Sequence, residues 1–247
     1  MNFTIEYQNT PFLKTCRVKK DINRLNYRCE MLLTRNSHAI RNKRVLDLAS
    51  HDGLFTYACL KLGAQYVVGV EPRSNLVSDA NENLKSLGCT ETQYKFVIDD
   101  AFDYLSEVEE EQFDTILCFG FFYHIKNQTE LLDLITDIKP RYLILDTFVE
   151  DFQLPEAELH GIRRRETKKI AGYMVFYHED QDFDMASFGS SNLVGMPNKS
   201  LVESLLLDYG FKFKQINWND EDVIDRGEIK DYKKQTRVSY IAETVDS

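Results

Sequence analysis

Short apolar runs alternate along the chain with stretches whose apolar residues recur every three or four positions. "VLDLA" (45–49), "YVVGVE" (66–71), "YKFVI" (94–98), "FDTILCFGFF" (113–122) and "RYLILDTF" (141–148) read as buried strands, and the fourth, being the most apolar, as the centre of a sheet. Between them lie helical patterns. "LFTYACLKLG" ends at Gly63 as a C-cap, and Leu76, Val77, Ala80, Leu84 and Leu87 form a stripe that closes at Gly88. "AFDYLSEVEEE" is a short acidic helix. "NQTE" (127–130) has the form of a capping box before a helix whose stripe is Leu131, Leu132, Ile135 and Ile138. "PNKSLVESLLLDYG" gives a late helix, followed by strand-like "FKFKQINW" and "TRVSYIAE".

Strands alternating with helices predict an α/β fold with a doubly wound, mostly parallel sheet covered on both faces. Residues 148–197 break this rhythm with charged, aromatic and Gly/Ser-rich segments, and read as an insertion. Ahead of the first strand, Ile22, Leu25, Cys29 and Leu32 form a stripe suited to a packing helix, with Arg24 and Arg28 on another face. The expected organisation is a helical cap segment over 1–41 and a main domain over 42–247 that carries the insertion.

Composition narrows the class. The chain has 247 residues, 43% of them hydrophobic, enough for one domain with a substantial core or a domain plus a small subdomain. Five widely spaced cysteines without a C-x-x-C pair read as reduced thiols, so neither a disulfide frame nor a metal site is expected. "MNFTIEYQNT" has no signal-peptide pattern and no apolar run approaches a membrane span, which makes cytoplasmic localisation the expectation. A net charge of −10 argues against sequence-blind nucleic-acid binding. Two basic patches remain, one over Lys14, Arg17, Lys19, Lys20, Arg24 and Arg28 and one at "RRRETKK" (163–169); the default for each is a solvated face.

The turn after the first strand carries the chemistry. A dinucleotide site uses G-x-G-x-x-G so that bare backbone approaches a pyrophosphate at a helix N-terminus. Here the turn is "ASHDG", and Asp52 would repel a pyrophosphate. An acid at that place suits a nucleoside ligand without phosphates and with positive charge. Glu71, 24 residues after Asp47, stands where ribose hydroxyls would be accepted.

"VLDLASHDG" with "VVGVEP" resembles the first two motifs of the class I S-adenosylmethionine (SAM)-dependent methyltransferases, and "VIDDAFDYL" and "FDTILCFGFFYHI" resemble the third and fourth. The resemblance runs over roughly 42–243. It implies a seven-stranded sheet whose last strand is antiparallel, and SAM as cofactor with S-adenosylhomocysteine (SAH) as product. By it Asp47 orders the turn, Ala49 and Gly53 pass under the methionine portion, Ser50 and His51 wall the pocket, Glu71 and Pro72 hold the ribose, Asp100 (or Asp99) and Ala101 face the adenine, and Phe119 lines the methyl-transfer cleft. Ala49 and His51 stand where the family customarily has glycines, which tightens backbone approach.

Methyl transfer from a sulfonium needs alignment and desolvation, and a base only where the acceptor loses a proton. His124, directly after the fourth strand in "FFYHI", is the candidate base, with Tyr123 beside it. The insertion is expected to form an acceptor lid, in which Arg163, Arg165 and Lys168 could clamp an anionic substrate. Tyr27 and Arg28 reach the acceptor from the cap helix. The absence of N-P-P-[YF] or D-P-P-[YF] after the fourth strand removes the signature of base-amine methyltransferases of DNA or RNA, and the stretch looks most like small-molecule O-methyltransferases. The expectation is methyl transfer to an oxygen of a small metabolite, with an anionic one as a candidate, by a monomer or homodimer without DNA or membrane partners. A tRNA-modifying methyl or alkyl transferase of the same fold, and a non-catalytic SAM- or SAH-binding interaction protein, stand as alternatives.

Overall fold

Why the first strand lies in the middle follows from its neighbours. Residues 45–48 of β1 (Arg44–Leu48) are buried on both faces, as are all five of β4 (Thr115–Phe119), and such strands need a partner on each side and a helix layer above and below. The computed structural model describes residues 3–16, 21–110, 112–151, 171–179, 192–224 and 227–245. β1 pairs in parallel with β2 (Tyr66–Val70) and β4, so that Asp47 lies level with Gly69 on one side and Leu117 on the other. β3 (Tyr94–Val97) extends one edge and β5 (Tyr142–Phe148) continues the other in parallel.

With β8 (Phe211–Gln215) and β9 (Arg237–Thr244), the sheet has seven strands in the order β3-β2-β1-β4-β5-β9-β8. β9 is antiparallel to both its neighbours. This is the doubly wound sheet with an antiparallel last strand that the sequence implies. The order reverses direction between β1 and β4, which opens a crevice beyond their carboxyl ends.

Helices cover both faces: α3 (Leu54–Lys61), α4 (Ser74–Ser86), α5 (Ala101–Ser106), α6 (Gln128–Asp137) and α7 (Lys199–Asp208), with a short α8 at Lys230–Lys233. The predicted stripe of α4 is real, with Leu76, Ala80 and Leu84 all at 0% exposure. Burying each such leucine contributes roughly 1.5–3 kcal/mol. The α6 capping box does not form. Asn127 is the N-cap residue but bonds no backbone amide; its amide donates to the Glu130 carboxylate, so the two side chains satisfy each other across the turn.

The N-terminal segment folds as α1 (Phe12–Thr15) and α2 (Ile22–Leu32), with Asp21 capping α2 by accepting from the amides of Asn23 and Arg24. Leu25, Cys29 and Leu32 join the core as their spacing predicts. The other face is not solvated. Arg24 and Arg28 are 5% and 8% exposed, because the segment after β8 lies against this helix. Arg24 pairs with Asp231 at 2.6 Å and lies over the Tyr232 ring, itself stacked on Trp218. The basic patch read from the sequence therefore loses two members to buried ion pairs, while Lys14 stays exposed and 17–20 lie outside the described residues.

The insertion holds more order than its sequence suggests. β6 (Met174–His178) and β7 (Leu193–Pro197) form an antiparallel pair outside the main sheet. Gly195 N–H donates to the carbonyl of Ile125, and Gln128 Nε2 lies within 3.0 Å of the carbonyls of Phe122, Ile125 and Gly195. These bonds fasten the pair to the turn after β4.

Candidate active site

Two turns meet in the crevice, 49–53 after β1 and 120–124 after β4. The first is stitched to β2: Ser50 N–H donates to the carbonyl of Val70, and His51 N–H to Glu71 Oε2 at 3.1 Å. Ala49 and His51 both adopt φ +54°, the left-handed conformation that glycine supplies without a side-chain penalty. For residues with a Cβ this costs about 1–2 kcal/mol each. The turn thus keeps the backbone path of a glycine-rich loop with non-glycine residues. Gly53, at φ +82°, is required for packing: a Cβ there would come within 2.8 Å of the Phe96 ring and 3.0 Å of Leu84.

A cavity of about 280 Å³ lies between the turns. Asp47, Ala49, Ser50, His51 and Asp52 line it from the β1 side, and Phe119, Gly120, Phe121, Tyr123 and His124 from the β4 side. Arg28, Arg73 and Arg237 also reach it. Of the residues expected from the sequence, Asp47, Ala49, Ser50, His51, Phe119, Tyr123, His124 and Arg28 come together here. Gly53, Glu71, Pro72, Asp100 and Ala101 are not among its walls, and Arg163, Arg165 and Lys168 lie outside the described residues.

Two of the expected residues make other contacts. Tyr27 donates its hydroxyl to the Ile224 carbonyl and packs edge-on against Phe3, because its side of α2 faces the C-terminal loop and not the cavity. The Asp100 carboxylate caps α5 by accepting from Phe102 N–H at 2.8 Å, and Asp99 in turn accepts from Asp100 N–H. In this state Asp100 serves its own helix.

The β1 side is acidic. Asp47 is 2% exposed and accepts from the Thr56 hydroxyl at 2.8 Å. Burial pushes its carboxyl up to about 7 against that hydrogen bond, with Glu71 and Asp52 adding to the rise. Asp52, 1% exposed, accepts from Thr15 Oγ1 at 2.7 Å, which draws the N-terminal segment over the turn. Ser50 Oγ is buried without a hydrogen-bond partner among the described residues. A buried orphan hydroxyl beside two carboxylates, with no bare glycine cradle, fits a phosphate-free cationic nucleoside such as SAM and does not fit a dinucleotide.

The β4 side holds a histidine and a cation cluster. His124 Nδ1 lies 2.6 Å from Glu179 Oε1, which the insertion supplies just after β6. Tyr123 packs against His124 at 4.1 Å between ring centroids and edge-on against Phe148. Burial raises the Tyr123 phenol above its ordinary value, while Arg237 and Arg28 pull it down. Behind them Asp146, at the end of β5 and 0% exposed, accepts from Arg28 Nη2 (2.9 Å), Arg237 Nε (3.0 Å) and Nη2 (2.6 Å), Ser239 Oγ (2.8 Å) and Tyr232 OH (3.2 Å). Burial alone would raise its carboxyl, but Arg237 and Arg28 hold it down at about 2. Gly120, at φ +73°, leaves room for this cluster, since a Cβ would sit 3.2 Å from Arg237 Nη2.

Glu179, Asp146, Arg73 and Arg237 were not singled out from the sequence. The lone acid within the apolar "YLILDTF" run was a usable signal for Asp146, because a charge in a central strand needs partners. Nothing local marked the other three.

Known proteins resemble this chain in sequence and in fold. The family described as a methyltransferase domain matches residues 40–174. A Methanocaldococcus jannaschii protein, provisionally named a protein N5-glutamine methyltransferase, is 32% identical over 124 residues, or 46% of this chain and 62% of that protein. The chain thus matches less than two thirds of that relative's length. The N-terminal domain of EvdMO1 with SAH bound has a similar fold, with a TM-score of 0.61 at 16% identity over 86% of this chain and 79% of that one. An S-adenosylmethionine-dependent methyltransferase from Mesorhizobium loti gives 0.58 at 12% identity over 89% of this chain and 99% of that one.

Proposed function

The chain belongs to the methyltransferase domain family, and we propose that it transfers a methyl group from SAM to an oxygen of a small metabolite. The sulfonium supplies an activated methyl, so the protein's part is to align the acceptor, exclude water and take up the acceptor's proton. Asp47, Ala49, Ser50 and His51 would hold the cofactor on the acidic side of the cleft. Glu71 would meet the ribose hydroxyls once Arg73 moves aside.

The His124–Glu179 contact carries the oxygen assignment. A carboxylate only accepts hydrogen bonds, so in the neutral imidazole Glu179 places the proton on Nδ1 and the lone pair on Nε2. A base fixed in one tautomer at the end of β4 serves a hydroxyl, which must lose a proton as it is methylated. Glu179 acts as a positioning residue through His124. The insertion that supplies it would complete the acceptor side of the cleft. The net charge of −10 favours a small acceptor over a polynucleotide.

One observation favours a second reading, a glutamine side-chain amide as acceptor: the 32% identity to the archaeal protein named for that activity. Incubation with methyl-labelled SAM separates the readings. Label in a hydroxyl- or carboxyl-bearing metabolite, with His124→Ala lowering kcat by about 10²–10⁴-fold, supports the oxygen reading. Label in N5-methylglutamine of a protein, released as methylamine on acid hydrolysis and insensitive to His124→Ala, contradicts it.

A further inference from the structure

The cleft is bipolar. Asp47 and Asp52 line it at the β1 turn, while Arg28 of α2 and Arg237 of β9 line it from their shared partner Asp146 at the end of β5. Arg73 is the third guanidinium in the wall, and the Glu71 carboxylate holds it. At the cationic end two arginines share one carboxylate, Asp146, so the cluster carries one net positive charge. Asp146 takes one bond from Arg28, at Nη2, and its four other donor contacts come from Arg237, Ser239 and Tyr232, so the rest of the Arg28 guanidinium is left to other partners. Arg237 keeps its proton: burial alone would lower its value, and Asp146 raises it well above the ordinary one.

Arg28 is 8% exposed, lies 4.9 Å over the Phe55 ring, and its Nε is buried with no hydrogen-bond partner among the described residues. A buried guanidinium donor left open beside a cavity is an oxyanion position, because a forked cation pairs best with a planar or tetrahedral oxyanion. The Phe55 ring beneath it and Phe119 edge-on to that ring at 4.9 Å keep the approach apolar, which strengthens the pairing.

We propose that Arg28 and Arg237 seat an anionic group, a carboxylate or phosphate, of the methyl acceptor. This rests on the methyl-transfer reading of the cleft and names its substrate class. The bipolar wall then sorts the two ligands, a cationic cofactor toward Asp47 and Asp52 and an anionic acceptor toward the arginines. The amino-acid carboxylate of the cofactor is the rival occupant, with the same chemistry from the other source.

The test is calorimetric titration of benzoate and, separately, inorganic phosphate into the protein with and without saturating SAH. The expected result is one anion per SAH-loaded chain, weakened at least tenfold in Arg28→Met, with SAH affinity changed less than threefold. Anion binding only without SAH, lost one for one as SAH is added, gives the arginines to the cofactor's carboxylate and overturns the proposal. Absence of anion binding by the SAH-loaded protein overturns it too. Should Arg28→Met fail to fold, the Arg28 Nε–H resonance of the unaltered SAH-loaded protein decides: it shifts on adding phosphate, or the proposal falls. Failure to bind SAH at all, with anion binding intact, sinks the methyl-transfer reading instead.

Discussion

Arg73 is clamped on Glu71, with its Nε 2.6 Å from Oε1 and its Nη2 3.0 Å from Oε2. Glu71 is 0% exposed and also accepts from the backbone amides of His51 and Arg73. The acid expected to meet the ribose is therefore fully engaged without a ligand. On the proposed reading, cofactor hydroxyls would replace the guanidinium, and binding would include an exchange of partners at a buried carboxylate.

Arg73→Ala should lower stability by about 2 kcal/mol, since it removes a charged partner from a buried acid. In that variant SAH should raise the melting temperature by more than it does in the unaltered protein, because the ligand supplies donors that the fold then lacks. Equal shifts would mean that Glu71 does not meet the ligand.

Ala49→Gly should raise stability by about 0.5–1 kcal/mol. Relief of the left-handed strain at φ +54° outweighs the added freedom of the unfolded chain. Urea midpoints measure this directly. Destabilisation would mean that the Ala49 methyl makes packing contacts worth more than the strain.

Asp47 sets a pH dependence. Its carboxyl sits at about 7 in the fold, against about 3.9 in an unfolded chain, so the fold favours the protonated form. Its contribution is complete below pH 4 and is lost as pH rises through 7. Asp47→Asn stays neutral and can still accept from Thr56. It should match the unaltered protein near pH 4 and exceed it at pH 8 by on the order of 3–4 kcal/mol, as guanidinium melts at the two values would record. A constant difference across that range would contradict the buried-acid account.

The sheet was legible because four of its strands are almost wholly buried: five apolar runs, the first four each followed by a helical pattern, leave few arrangements open. The β1 turn was legible for the same local reason, since strand, turn and helix are contiguous. Across the cleft, Phe119, Tyr123, His124 and Arg28 were legible, but not the residues that pair with them. Glu179 reaches His124 across 55 positions and Arg237 reaches Asp146 across 91, and no local pattern encodes such pairings. Helix α2 misled in the opposite way. Its arginines fall on the polar side of the wheel, yet a C-terminal segment covers that side and turns them into buried ion pairs.

Asp146 governs the acid limb. Its carboxyl, held at about 2 in the fold against about 3.9 unfolded, contributes stability that is present above pH 4 and lost as pH falls toward 2. The loss should be about 2 kcal/mol. Asp146→Asn should already be destabilised by about 3–5 kcal/mol at pH 7, because two buried guanidinium groups lose their counter-charge. A variant as stable as the unaltered protein would mean that the arginines find other partners.

Hydrogen–deuterium exchange with and without saturating SAH tests the central claim most directly, because it locates the ligand as well as detecting it. The account predicts slowed exchange in peptides covering 47–55 and 117–124, the two turns that line the cavity. Protection confined to other segments, or none at SAH concentrations that saturate related enzymes, would contradict the assignment of this cleft as the SAM site.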